Sequence, residues 1–264
     1  MALELLRLDG RVAVVTGAGR GVGLGIALAL AEAGAAVVVS ARTRAEIERT
    51  AAEIERRGGR ALAVCADVMR RSELAQLVDA ALERFGRIDI VVNNAGGSDG
   101  YPPFLDVSEE SFRFHFDWNT TSAFLLSQLA TPHLLRAGKG AILNISSGAA
   151  QIGIRGMLAY GVAKAGLEQL TRVLAEELAP KIRVNALALG AIMTPALQNT
   201  FDLDPAFRDG MIGRTPLKRI GSVEAIGAAA VFACSDASDY MSGAVIPIDG
   251  GLQDTNLPFK HPDL

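Results

Sequence analysis

Short apolar runs alternate with longer amphipathic ones along the whole chain. RVAVVT (11–16), AAVVVS (35–40), ALAVCA (61–66), DIVVNN (89–94), GAILNIS (140–146), IRVNALA (182–188) and GAVIPID (243–249) are dominated by aliphatic residues, most of them β-branched. Their apolar positions run on without alternation, which suits strands covered on both faces, as in a parallel sheet. Between them lie helical periods. The clearest spans 72–85, where Leu74, Leu77, Val78, Ala81, Leu82 and Phe85 fall on one face. Thr43 followed by Glu46 predicts a capping box for the helix after the second strand. Strand–helix alternation predicts an α/β fold in one domain over 1–264: a doubly wound parallel sheet of seven strands with helices on both faces. The stretch 190–215 shows no clean period and reads as a loop, and long loops in compact domains often serve as lids, so it is the expected substrate lid.

Composition narrows the function classes. Half of the 264 residues are hydrophobic and the net charge is −3, which argues against a nucleic-acid binder or a membrane-surface protein. The most apolar tract, 22–39, is broken by Glu32 and several glycines, so no membrane span is expected. The start carries Glu4, Arg7, Asp9 and Arg11, leaving no room for a signal-peptide core. Cys65 and Cys234 show no metal-ligand spacing, so no metal is expected and a reduced, cytoplasmic setting is. His115, His133 and His261 lie far apart and G-x-S-x-G is absent, so no hydrolytic triad is indicated.

The chemistry begins at TGAGRGVG (16–23), between the first strand and the first helix. Gly17, Gly19, Gly21 and Gly23 allow a tight turn and leave backbone N–H groups open to a pyrophosphate at a helix start, with Arg20 and Val22 between them. In that setting the pattern predicts a Rossmann-like dinucleotide site. At the end of the second strand, Ala41 and Arg42 stand where an acidic residue would bind a free ribose 2′-hydroxyl. Arginine suits a 2′-phosphate, and Arg20 is a second candidate for it. The expected cofactor is NADP(H), with NAD(H) as the alternative.

In LAYGVAKAGL (158–167), Tyr160 and Lys164 are one helical turn apart. At about 100° per residue they lie roughly 40° apart on a face that Leu167, Leu174 and Leu178 continue inward. A buried lysine without a task is costly. An ammonium ~4 Å from a phenol is worth roughly 4 kcal/mol at an effective dielectric of ~20. That would lower a tyrosine from its ordinary pKa of ~10 by up to ~3 before burial opposes it, enough for general acid–base work.

TGAGRGVG, NNAG (93–96), Asn119, Ser147, YGVAK (160–164) and IDGG (248–251) occur in an order that resembles the short-chain dehydrogenase/reductase family. The resemblance implies an oxidoreductase acting on a small-molecule alcohol or ketone, with Asn119, Ser147, Tyr160 and Lys164 catalytic. Ser147 would hold the substrate oxygen; Ser146 competes for that role, but the 13-residue spacing to Tyr160 favours Ser147. Lys164 would also bond the nicotinamide ribose, and Asn119 would hold a relay water. Asp67 and Val68 would meet the adenine, Asn93, Asn94, Ala95 and Gly96 the cofactor floor, and Gly190, Ile192 and Thr194 the carboxamide side. One position departs from the pattern: Leu189 precedes Gly190 where the family usually has proline, restoring a backbone N–H.

Ala149, Met157, Met193, Leu197, Phe201, Phe207 and Met211 form a candidate apolar pocket wall. NNAGG, FLLSQL, GAIMTPAL with RTPLKRIG, and VFACSDASDYMSG are similar to bacterial hydroxysteroid dehydrogenases, especially the 7α type, which implies a steroid-like secondary alcohol. The alternative enzyme is a 3-oxoacyl-carrier-protein reductase, which would need a basic entrance drawn from Arg113, Arg155, Arg214, Lys218 and Arg219. A non-catalytic NADP(H)-binding regulator is the alternative of another class, and the complete set of four catalytic residues speaks against it. The family implies a homotetramer through helices near 117–136 and 155–179. The tail LQDTNLPFKHPDL (252–264) is expected to cross to a neighbouring subunit.

Overall fold

In the computed structural model, residues 3–258 are described. His261 and the end of the tail lie outside them. Seven strands form one parallel sheet: β1 Val12–Thr16, β2 Ala36–Ala41, β3 Arg60–Cys65, β4 Ile90–Asn93, β5 Gly140–Ser147, β6 Ile182–Leu189 and β7 Val245–Ile248. Their spatial order is β3-β2-β1-β4-β5-β6-β7. The order reverses between β1 and β4, where carboxyl ends of strands open a crevice in such folds.

Successive residues of the central strands feed two cores. Ala13 and Val15 pack with Ile26 and Leu30 of α1 (Gly21–Glu32) and Ile226 of α9 (Val223–Cys234). Val12 and Val14 pack on the other face with Leu74 and Leu77 of α3 (Arg71–Phe85) and Leu126 and Leu134 of α5 (Ser122–Arg136). This is the two-residue alternation of a strand whose faces are both covered. A buried polar chain crosses the second core: Asn93 Nδ2 donates to Asn144 Oδ1 at 2.8 Å, and Asn144 Nδ2 to Thr171 Oγ1 at 2.8 Å. It ties β4 and β5 to α6 (Leu158–Glu177).

Two expectations are corrected. Helix α2 (Arg44–Arg56) starts after Thr43, yet no capping bond forms; Glu46 instead turns toward Arg20, 3.7 Å away. The segment 190–215 is not a loop. It holds α7 (Pro195–Leu203) and α8 (Pro205–Arg214), capped by Thr194, which accepts from Leu197 N, and Asp204, which accepts from Phe207 N. Each has proline at its first position, where the missing N–H costs nothing. The described tail folds back on its own chain. Asn256 Nδ2 donates to Thr215 Oγ1 at 3.0 Å, and Arg214 donates to the Leu257 carbonyl at 2.9 Å. Leu257 joins Phe201 and Met211 in a small separate core. Among the described residues no helix is long and apolar enough to cross a membrane.

Candidate active site

The glycine turn leads from β1 into α1, and its geometry excludes side chains. Gly17 has φ 63°, and a Cβ there would lie 2.8 Å from Asn94 Nδ2. A Cβ on Gly23 would lie 2.2 Å from the Gly17 carbonyl oxygen. Asn94 locks the turn from the neighbouring strand end, donating to Thr16 O at 2.8 Å and Gly17 O at 3.2 Å. The result is a cleft of about 440 Å³ running along the carboxyl ends of the strands. Of the residues predicted to bind the dinucleotide, from Gly17 to Thr194, all but Asn93 lie on its wall. The cradle therefore fits an extended dinucleotide with its pyrophosphate on the start of α1.

Asn93 is the exception to the expected cofactor floor. It is buried and spends its amide on Ser127 Oγ and Asn144. The wall also holds residues that sequence reasoning missed, among them Glu46, Trp118 and Ile145. Trp118 carried no signal beyond its place beside Asn119. Glu46 was visible only as a helix cap, yet it stands with Arg20 and Arg42 where the second phosphate was expected.

Helix α6 delivers Tyr160 and Lys164. Lys164 is buried, its Nζ donates to the Ile145 carbonyl at 2.8 Å, and it lies 5.8 Å from the centre of the Tyr160 ring. Helix and β5 come close because Gly161 faces the turn after Ser147: a Cβ there would sit 2.9 Å from the Ala149 carbonyl oxygen. Ser147 ends β5, accepts from Ala149 N at 3.2 Å and hydrogen-bonds the Tyr160 phenol. Ser146 does not compete, since its hydroxyl is committed to Glu168 Oε1 at 3.0 Å.

The phenol corrects the electrostatic expectation. Burial pushes Tyr160 above the ordinary tyrosine value, and the bond with Ser147 opposes this only in part. Lys164 is itself desolvated and lowered to about 8. The Lys164 ammonium lies over the Tyr160 ring, 5.8 Å from its centre. Desolvation is the largest influence on the phenol and it raises the pKa, so Tyr160 keeps its proton near neutral pH.

Asn119 stands behind the wall, not on it. A π-helical turn over Asp117–Thr121 presents it, almost wholly buried. Its Oδ1 accepts from Gly97 N at 2.9 Å, and its Nδ2 donates to Gly97 O at 3.0 Å and His115 O at 2.9 Å. The side chain thus clamps the loop after β4. The next residue fastens the same turn to α6, Thr120 Oγ1 donating to Ala163 O at 2.6 Å.

A second cavity of about 280 Å³ opens beside the first and shares Ser147, Tyr160, Leu189 and Gly190 with it. Ala149, Met157, Leu197 and Met211 line it as expected, joined by Ile152, Ile154 and, from the tail, Leu257. Met193, Phe201 and Phe207 do not; they pack in the small core behind. Leu189 extends β6 by one residue, paired with Ser147 on one side and Ile248 on the other. No lysine or arginine is on the described wall of this cavity. Arg113 pairs with Glu109 at 2.7 Å on exposed α4 (Glu109–Phe116), and Lys218 donates to the Gly213 carbonyl.

Known proteins share this arrangement. A family model described as enoyl-(acyl carrier protein) reductase matches residues 17–253. An uncharacterised oxidoreductase of Mycobacterium tuberculosis is 42% identical over 100% of both chains. The 7α-hydroxysteroid dehydrogenase of Escherichia coli K12 is 41% identical over 95% of this chain and 98% of its own. A 7α-hydroxysteroid dehydrogenase structure complexed with NADH and 7-oxo glycochenodeoxycholic acid superposes with TM-score 0.89 at 40% identity, covering 94% of this chain and 96% of that one. The chain belongs to the short-chain dehydrogenase/reductase family and is an oxidoreductase.

Proposed function

We propose that the protein interconverts a hydrophobic, steroid-like secondary alcohol and its ketone, with Tyr160 as general acid and base. The observation that carries this reading is the hydrogen-bonded Ser147–Tyr160 pair on the wall common to both cavities, with Lys164 behind it. A nicotinamide dinucleotide, when bound, supplies or accepts the hydride. In reduction the substrate oxygen is held by the Ser147 hydroxyl and takes the Tyr160 Oη proton; in oxidation Tyr160 takes that proton back. The Lys164 ammonium stabilises the phenolate left by reduction. Asn119 contributes by fixing the loop at Gly97, and a relay water would meet its backbone rather than its engaged amide. Replacing Tyr160 with Phe tests the assignment. Turnover should fall by at least ~10²-fold, the low end for acid–base catalysis, with cofactor affinity kept within a few-fold. Turnover at the parent rate overturns it.

The apolar second cavity supports a hydrophobic substrate, and a similar protein is complexed with a 7-oxo bile acid conjugate. The acyl-carrier-protein reading needs a basic entrance, for which Arg214, donating to the carbonyl of the lining residue Leu257, is the nearest candidate. A panel of sterols, acyl thioesters and small ketones, followed by cofactor absorbance, separates the two. Arg42 makes no ion pair among the described residues and, with Arg20, supports NADP(H) over NAD(H). Comparing kcat/KM with the two cofactors decides this, and the NADH in the similar structure makes the comparison pointed. Exposed Phe112, Phe114, Phe116, Phe124, Val162 and Val173 support a homotetramer through α4, α5 and α6, which light scattering tests. The lid role of 190–215 passes to α7 and α8, which place Leu197 and Met211 on the cavity wall.

A further inference from the structure

Among the buried ionisable groups outside the reacting set, one stands directly beside it. Glu168 lies one turn beyond Lys164 on α6 and is almost wholly buried. Its Oε1 accepts from Ser146 Oγ at 3.0 Å. Gln151 Nε2 donates to both carboxylate oxygens, at 3.2 and 3.3 Å. Arg172 approaches Oε2 from the surface side at 3.6 Å. The two hydrogen-bonding residues bracket a short segment. Ser146 precedes Ser147 on β5, and Gln151 follows the single 3₁₀ turn Gly148–Ala150. One carboxylate therefore closes a ring around the residues that present the Ser147 hydroxyl.

We propose that Glu168 is a positioning residue for the reaction. It holds both ends of the Ser147 turn, and so fixes the Ser147 hydroxyl against the Tyr160 phenol from outside the reacting set. The inference rests on Ser147 and Tyr160 being the reacting pair. A buried carboxylate is costly to desolvate, and leucine removes that cost, but it leaves the buried Ser146 hydroxyl without its acceptor, so some stability is lost as well. What leucine cannot replace is the two-ended hydrogen bonding. Glutamine can, because Gln151 can turn its own amide to donate or accept.

Three variants test this, each assayed for kcat, KM, cofactor affinity and melting temperature. Glu168→Leu should lower kcat about tenfold, the scale for sub-ångström misplacement, while substrate KM and cofactor Kd stay within about twofold. Glu168→Gln should recover most of that loss. Gln151→Ala should lower kcat a few-fold, and adding it to Glu168→Leu should change nothing further, as for two parts of one clamp. Three results overturn the proposal: full kcat in Glu168→Leu, equal losses in the Leu and Gln variants, or strictly additive losses with Gln151→Ala. If Glu168→Leu does not fold, Gln151→Ala decides alone, since its side chain lies at the surface; parent kcat in that variant overturns the clamp. Tyr160→Phe separates the two levels. A dead Tyr160→Phe beside a fully active Glu168→Leu removes only this inference, whereas an active Tyr160→Phe removes the reading beneath it.

Discussion

Gly161→Ala is the sharpest test of how α6 sets the distance between the reacting side chains. The added Cβ would stand 2.9 Å from the Ala149 carbonyl oxygen, against 3.4 Å for ordinary contact. Helix and turn must therefore part by about 0.5 Å, the difference of those two values. Neither side yields readily. The helix is pinned by Lys164 to Ile145 O at 2.8 Å and by Thr120 to Ala163 O at 2.6 Å, and the turn is held by Ser147 and Gln151. Productive geometry tolerates about 0.5 Å, and about 1 Å of misplacement costs ~10²-fold, so a roughly tenfold loss of kcat is expected. Stability should move the other way. Alanine in a helix interior is better than glycine by about 0.5–1 kcal/mol, which offsets part or all of the clash in the melting temperature. The assay pairs initial rates, followed by cofactor absorbance, with a thermal melt and a cofactor titration. A variant that melts higher and turns over at the parent rate would mean that the turn gives way, and that close approach does not set the geometry.

Lys164 is lowered to about 8 by burial, so its ammonium is present below that pH and lost above it. Cofactor affinity should weaken as pH rises through about 8, read by fluorescence titration, and a flat profile refutes the assignment. With the phenol raised by burial, ketone reduction should be the faster direction near neutral pH and alcohol oxidation should gain as pH rises; parallel pH–rate profiles in both directions check this. Asn93→Ala leaves Asn144 and Ser127 short of a buried partner, at a cost of about 1–3 kcal/mol. The melting temperature should fall by roughly 5 °C with the dinucleotide cleft still formed, and loss of cofactor binding without loss of stability would restore Asn93 to the floor. Asp204→Ala removes the cap of α8, worth about 1 kcal/mol, and local hydrogen exchange over 205–214 should rise.

The strands were legible because buried parallel strands need continuous aliphatic runs, and that requirement leaves little freedom at Val12–Thr16 or Ala36–Ala41. The dinucleotide cleft was legible for a different reason. Its shape is dictated by glycines at fixed distances from a strand end, so backbone geometry and residue type say the same thing. Helices α7 and α8 were obscured because they bury only Phe201 and Met211, too few for a visible period, although Thr194–Pro195 and Asp204–Pro205 were both cap signals. Asn93 ends β4 and Asn94 follows it, and that one step along the chain exchanges the core for the cleft. The tail could not be read because Leu257 packs on residues some fifty positions earlier in the chain. The sequence set the pull of Lys164 on the Tyr160 proton against burial without the size of either, and only the packing around both shows that burial is the larger.

Among the described residues the two cavities meet at four positions, Ser147, Tyr160, Leu189 and Gly190. That narrow seam makes the enzyme divisible for directed evolution. Ile152, Ile154, Met157 and Leu197 line the second cavity alone, so a library randomised there should shift the choice of substrate without disturbing how the redox carrier is held. Changes at Arg20, Arg42 and Glu46 should exchange the carrier while leaving the range of accepted substrates as it was.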